Sequence, residues 1–388
     1  MRAARLAMPL LWLVVAGYCA YIGWAYVDGQ RAAADGERPL YTDFVSTYAG
    51  SLLMRSAPPE NVYRPRRMYE AEQAAARAVY DVPLSESQVR AVGFSPWMYP
   101  PTFLLMVVPL AYLPYLVALI AWTAVTALPY LDAMRGILRS RFALPAALAA
   151  PPVFFNAMYG QTGFLIGGLI ALGLLHLRSL PLMAGMLIGL ASVKPHFGLL
   201  IPLALAAGGH WRAFGAAAGT VIGLIVLSVL AFGDDPWFGF IGTVGFHMDG
   251  IGAGVYNWPV MTTVLSLLKL IGAPMAAAWA AQGAVSLAVA LAVVGLWWRL
   301  RREPARDGLL YALLCTGTTL ALPFAYAYDL VLLVPARPGC GLIWTPAGDG
   351  GGSGPGCWWP CWRCCRCACC RRLPASGWRW LARLSCSA

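Results

Sequence analysis

The run Leu180–Ala207, LPLMAGMLIGLASVKPHFGLLIPLALAA, decides how this chain is folded. It is long enough for one tilted bilayer crossing, yet Arg178 and Arg212 flank it and the positive-inside rule puts both on the cytoplasmic side. An even number of crossings is then required. Lys194-Pro195-His196 stands in the middle, and proline breaks a helix by removing a hydrogen-bond donor and clashing with the preceding turn. The run therefore reads as two short helices meeting at the outer side, with Lys194 at the apex. A lysine left in hydrocarbon costs about 3 kcal/mol on insertion scales, whereas one lining an aqueous cavity does not. The alternative is an amine that snorkels to the interface.

Working outward, the 388 residues are 60% hydrophobic and 12% charged, against about a quarter charged in soluble proteins. The fold class that follows is all-α, a polytopic integral membrane helical bundle. Lysine occurs only at Lys194 and Lys269, arginine supplying the other basic residues, which points to a GC-rich genome. More than half of the net charge of +11 falls in the tail beyond residue 336. The remainder fits cytoplasmic loops, and no basic patch interleaved with aromatics suggests nucleic acid.

Arg2 and Arg5 precede an apolar run from about Leu6 to Val27. A signal peptide is the rival reading, but the run is long, passes through Tyr21, Trp24 and Tyr26 and lacks a small-x-small site, so an uncleaved anchor is expected. Residues 28–100 turn polar and form a large outer loop with helices over about 43–54 and 65–80, the second amphipathic and expected on the membrane surface. Arg64, Arg66 and Arg67 there offer pairs to phosphate, or simply a solvated basic face.

Trp97-Met98-Tyr99-Pro100-Pro101 marks an interface, and the apolar run 102–131 is interrupted by Pro109 and Pro114. A piece over 142–158 leads outward to Asn156, Tyr159 and Gln161, and 164–177 returns to Arg178. Residues 213–232 cross outward to a second outer loop opened by Asp234-Asp235 and holding His247, Asp249, Tyr256 and Asn257. Adjacent acids before a proline suit a helix stop or cap, with a metal site as the alternative. The segment 259–271 is too short to cross, 275–298 ends at Arg299, Arg301, Arg302 and Arg306, and 309–322 rises to the turn Pro323–Asp329. Charge alone thus places Asp43, Gln161, Lys194, Asp234 and Asp329 on one side.

Within Tyr41-Thr42-Asp43-Phe44, the carboxylate of Asp43 stands just beyond the first apolar segment. An acid in an aromatic setting near a membrane suits a general base, because desolvation raises its basicity. The competing reading is a helix N-cap for the segment starting at Phe44.

After Ala336 the composition turns to Gly, Trp, Arg and Cys, with nine of the 11 cysteines between Cys340 and Cys386. Their spacing matches no zinc pattern. A leucine run written CTG-CTG and read one base late gives TGC-TGC, so 337–388 is expected to be an aberrant, disordered or out-of-frame tail after a membrane domain over 1–336.

Asp43-Phe44, Tyr99-Pro100-Pro101 leading to Pro109-Leu110 and Leu113-Pro114, Gly160-Gln161, Lys194-Pro195 and Tyr328-Asp329 together resemble glycosyltransferase family 87. These are polyprenyl-phosphate-mannose-dependent α-mannosyltransferases of the GT-C superfamily, and the likeness runs from about residue 10 to 336. The resemblance implies an enzyme of the bacterial inner (plasma) membrane, active on the periplasmic side, that moves a hexose, typically mannose, from a polyprenyl-phosphate carrier to a glycolipid or polysaccharide acceptor. Asp43 matches the family's outer-loop aspartate and would be the catalytic base. Gly163 stands where relatives often carry asparagine.

The chemistry also follows from the residues. One carboxylate suffices to deprotonate an acceptor hydroxyl for an inverting displacement. Lys194, His196 or the outer-loop Arg64 can meet the departing phosphate. Tyr48, Tyr99 and Tyr328, with Trp97 and Tyr326, offer faces to a sugar; Asn156 and Gln161 offer hydroxyl-binding amides; Asp329 either orients Lys194 or grips the sugar. No metal or cofactor is called for, since the donor already carries its leaving group. Alternatives of another class are a lipid or sugar transporter or flippase, which also needs broken helices, and a non-catalytic membrane subunit.

Overall fold

The computed structural model describes residues 2–252 and 258–335; Tyr256, Asn257 and the expected aberrant tail lie outside them. Among the described residues helices are the only regular secondary structure, apart from one isolated antiparallel bridge between Met261 and Tyr326. The helices are α1 (Arg2–Ala34), α2 (Phe44–Ser56), α3 (Pro65–Arg77), α4 (Glu86–Arg90), α5 (Pro101–Val107), α6 (Tyr115–Leu138), α7 (Ala143–Leu148), α8 (Pro151–Tyr159), α9 (Gly163–His176), α10 (Pro181–Leu190), α11 (Ile201–Ala207), α12 (Trp211–Phe232), α13 (Asp235–Gly252), α14 (Val264–Leu270), α15 (Met275–Leu300) and α16 (Asp307–Ala321).

Four of them, α1 from Ala7 onward, α6, α12 and α15, are long and apolar enough to cross a membrane. Their outward faces are greasy: Leu13 is 68% exposed, Leu230 79% and Leu291 64%. Only hydrocarbon makes apolar faces of this extent favourable. The chain is a polytopic membrane helical bundle.

Between the long helices lie shorter apolar ones, and the run 180–207 is divided as its charges require. α10 ends in a 3-10 turn Ala191–Val193, a second turn Pro195–Gly198 follows, and α11 completes the return. Lys194 is the hinge, at φ −126°, ψ 77°, because proline disfavours helical backbone in the residue before it. α10 also packs closely on α12: a Cβ built on Gly185 would stand 2.2 Å from the Ala213 carbonyl oxygen. Small residues let membrane helices approach at backbone distance.

The opposite ends of these helices are joined by Arg178, whose Nε and Nη2 donate to the two carboxylate oxygens of Asp307 at 2.5 and 2.7 Å. Nη2 also donates to the Arg301 carbonyl at 3.2 Å. Arginines assigned to one side by charge thus meet at one end of the bundle, away from Lys194.

α3 buries Met68, Ala71, Ala75 and Ala76 and packs on α2. The piece 142–158 is two helices instead of one, because Pro151-Pro152 ends α7 and starts α8. The second polar connection carries the helix α13, which packs on the 3-10 turn Pro59–Tyr63 of the first.

Candidate active site

Asp43 is the residue before α2, yet its side chain makes no capping hydrogen bond, and its own backbone is already helical at φ −60°, ψ −20°. A capping side chain needs extended backbone to reach back to the helix amides. The N-cap reading is therefore overturned. The carboxylate instead accepts from Gln161, Nε2 to Oδ2 at 2.8 Å.

Gly160 makes that contact possible. It closes α8 in the left-handed region at φ 63°, where glycine is unstrained, and a Cβ there would come within 2.7 Å of both Phe44 Cβ and Leu119 Cδ1. The Gly160 carbonyl accepts from Trp122 Nε1 at 3.0 Å. The turn is thus pinned directly against the start of α2, and Gln161 follows it.

Tyr99 joins the same group. Its hydroxyl donates to Gln161 Oε1 at 3.3 Å and lies 3.4 Å from Thr162 Oγ1, while its ring stacks on Phe103 with centroids 4.1 Å apart. Gln161 is thereby oriented, its amide N–H toward Asp43 and its oxygen toward Tyr99.

Lys194 and Asp329 form a buried ion pair, Nζ to Oδ1 at 2.5 Å, with the two residues 8% and 3% exposed. The ammonium also lies 5.0 Å from the Phe197 ring centroid and 5.3 Å from that of Tyr328, a setting that stabilises a cation. Asp329 Oδ2 accepts the Tyr326 backbone N–H at 3.1 Å. Both oxygens of Asp329 are engaged, so Asp43 is the carboxylate of this group left open to solvent.

Asp43 keeps solvent access but is crowded by neighbouring protein atoms. Loss of hydration pushes its pKa above the ordinary carboxylate value, against the opposing pull of the Gln161 hydrogen bond and the Lys194 charge, while Asp329 adds to the rise. That Lys194 and Asp329 act on Asp43 through space places all three in one electrostatic neighbourhood.

Asn156, on α8, is 1% exposed, and neither its carboxamide oxygen nor its nitrogen has a hydrogen-bond partner among the described residues. Such atoms cost about 1–3 kcal/mol each when left unmade. It packs beside Gly163: a Cβ there would meet the Tyr328 carbonyl oxygen at 2.5 Å and Asn156 Oδ1 at 2.6 Å. A glycine at 163 is what lets the Tyr328–Asp329 turn approach α9.

The structure thus brings together Asp43, Tyr99, Gln161, Lys194, Asp329 and, around them, Asn156 and Tyr328. It does not bring in Arg64, which lies 3.8 Å from Glu60 on the outer loop with its side chain 64% exposed. Tyr48 is in the core, its hydroxyl donating to the Leu113 carbonyl at 2.8 Å and its ring against Tyr115. Burial leaves it no face for a sugar. Trp97 is likewise buried, over Gly50. His196 is half-buried beside Phe197.

Thr162 escaped the sequence reading, and so did Glu72, 2% exposed on the buried face of α3. Burial and two opposing hydrogen bonds, from the Ser95 backbone and Ser46, leave its pKa pushed up to about 7. Its position four residues after Met68 and three before Ala75, on the apolar stripe, was the available signal.

A helical membrane bundle whose broken helix sets a buried lysine–aspartate pair in the electrostatic neighbourhood of an open carboxylate has the charged groups of a group-transfer enzyme. The model of glycosyltransferase family 87 matches residues 97–323, more than half of the chain. The chain belongs to that family and is a glycosyltransferase, rather than the transporter or non-catalytic subunit that composition left open. Gln161, Asn156 and Lys194 fall within the matched residues; Asp43 and Asp329 flank them. No curated protein and no solved structure matches the chain.

Proposed function

We propose that this enzyme moves a hexose, mannose in the first instance, from a polyprenyl-phosphate carrier to an acceptor hydroxyl at the outer face of the bacterial plasma membrane, with inversion. The observation that carries this reading is the Asp43 carboxylate, uncommitted to helix capping, held by Gln161 at 2.8 Å and within electrostatic reach of Lys194 and Asp329.

In the proposed reaction the acceptor oxygen attacks the anomeric carbon as its proton passes to Asp43, and the bond from that carbon to the phosphate oxygen breaks. Loss of hydration raises the basicity of Asp43 while the Gln161 hydrogen bond favours its ionised form, two opposing pulls that suit a general base. Negative charge growing on the polyprenyl phosphate is met by Lys194, with His196 on the adjoining turn, in a water-poor setting where such attraction is strong. Asp329 holds the amine in place. The hydroxyl of Tyr99, half-buried beside Gln161, is available to a sugar hydroxyl. The leaving group is already a phosphate ester, so this scheme uses no metal or organic cofactor.

The test is transfer from radiolabelled polyprenyl-phosphate-mannose by the full chain in membranes. Asp43→Asn should lose transfer while keeping its melting behaviour. Unchanged transfer would remove the proposed base, and uptake of label without transfer would restore a transport role.

A further inference from the structure

A cavity of about 450 Å³ opens between the outer turns of α1, the strap 38–41 and the turn at Ala91-Val92. Its walls include Tyr21, Trp24, Asp28, Arg38, Leu40 and Tyr41. The 33 residues of α1 extend about 50 Å at 1.5 Å each, against a hydrocarbon layer about 30 Å thick. A span that begins at Ala7 uses about 20 residues, which brings Trp24 to the interface and Asp28 beyond it.

The walls are held in place. Gln88, 4% exposed, donates from Nε2 to the carbonyls of Ala33 and Glu37 at 3.0 and 2.7 Å. Its own carbonyl accepts from the Tyr41 hydroxyl at 3.0 Å. Arg38 Nη2 donates to the Ala91 carbonyl at 3.2 Å, and the Tyr80 hydroxyl donates to the Leu40 carbonyl. Gly29 gives that hydroxyl its room, since a Cβ there would stand 2.3 Å from it.

The lining has the chemistry of a saccharide site. Trp24 and Tyr21 are 54% and 47% exposed, with ring centroids 5.5 Å apart, and offer faces to the C–H side of a sugar ring. The Asp28 carboxylate makes no hydrogen bond or ion pair among the described residues. It accepts from hydroxyls, and Arg38 has further N–H groups to donate to them. The two charges cancel, so an anionic headgroup gains little here, and an acyl chain would strip water from both without replacing it. Tyr41 is two residues from Asp43, at most about 7 Å of extended chain.

We propose that this recess is the acceptor subsite, in which a neutral sugar residue stacks on Trp24, hydrogen-bonds to Asp28 and Arg38, and presents a hydroxyl toward Asp43. This rests on Asp43 being the base.

The test is saturation-transfer NMR on the full chain in lipid nanodiscs, with methyl α-mannoside and methyl α-glucoside as sugar probes and decanol as the apolar one. Sugar signals should fall roughly fivefold or more in Trp24→Leu and Asp28→Asn, as expected for losing about 1 kcal/mol. They should persist in Trp24→Phe and Asp43→Asn. Sugar signals that ignore both Trp24→Leu and Asp28→Asn would overturn the proposal, as would decanol signals that vanish in Trp24→Leu while no sugar signal is seen. Absent sugar binding together with lost transfer in Asp43→Asn sinks the subsite and leaves the base standing. Intact sugar binding with full transfer by Asp43→Asn removes the base, and with it the assignment to the acceptor.

Discussion

Gln161 donates to Asp43 across 118 residues of sequence, Nε2 to Oδ2 at 2.8 Å. The bond favours the ionised carboxylate, while burial works against it. A base must be ionised to act, so transfer should fail as pH drops through the raised pKa of Asp43. Without the Gln161 donor that pKa rises further, and in Gln161→Leu the acid limb of the rate profile should move to higher pH. Asp43→Asn should lose about 10²–10⁴ in rate at every pH. A Gln161→Leu profile superimposable on wild type would show that the amide does not tune the acid.

The buried Lys194–Asp329 pair calls for a double variant. Lys194→Met strands a carboxylate at 3% exposure, a loss of about 3–5 kcal/mol. Adding Asp329→Asn removes the stranded charge and keeps an acceptor for the Tyr326 N–H, so thermal stability should largely return. Transfer should not return. Melting curves and transfer rates on the same preparations separate the roles, and wild-type turnover by the double variant would make the pair scaffold alone.

Gly163→Ala places a methyl 2.5 Å from the Tyr328 carbonyl oxygen and 2.6 Å from Asn156 Oδ1. Backbone on one side and a buried carboxamide on the other give it nowhere to go, so a loss of about 1–3 kcal/mol is expected, with reduced transfer as the Asp329 turn shifts. Unaltered melting and turnover in the purified variant would show that the turn has slack.

Glu72 is a stability prediction with a definite sign. Its pKa rises from 4.5 to about 7 on folding, so the folded state favours the protonated form. Below pH 4.5 the group adds no penalty; between 4.5 and 7 the penalty grows, reaching about 3 kcal/mol above that window. Glu72→Gln should therefore stabilise the protein at pH 8 but not at pH 4, as read from melting temperatures at both. Equal shifts at the two values would mean that Glu72 titrates normally.

Several site residues were legible because each announces itself locally. Lys194 sits beside a proline in a run too apolar for a charge, and Asp43 follows the first anchor. Gln161 follows the glycine of a helix-ending turn. Glu72 and Gln88 were less visible, since only its spacing from Met68 and Ala75 marks Glu72 as lying on the apolar stripe of α3, and a glutamine three residues after Ser85 looks like an ordinary capping position. Their importance comes from what packs over them. Tyr48 shows the converse, reading as a sugar-facing ring although it packs in the core, as side-chain type says nothing of whether a ring is exposed or buried.

Hydropathy and charge by themselves determined the all-helical membrane architecture, the break at Lys194-Pro195 and the side shared by Asp43, Gln161, Lys194 and Asp329. Those follow from transfer free energies, which are properties of segments. Only the tertiary structure decided that Asp43 turns to Gln161 instead of capping α2, that Asp329 holds Lys194, and that Asn156 lies buried without a partner among the described residues. These depend on contacts between residues more than a hundred positions apart, such as the Gly160 turn lying directly on Phe44, where ångström-scale packing sets the partner of each polar group.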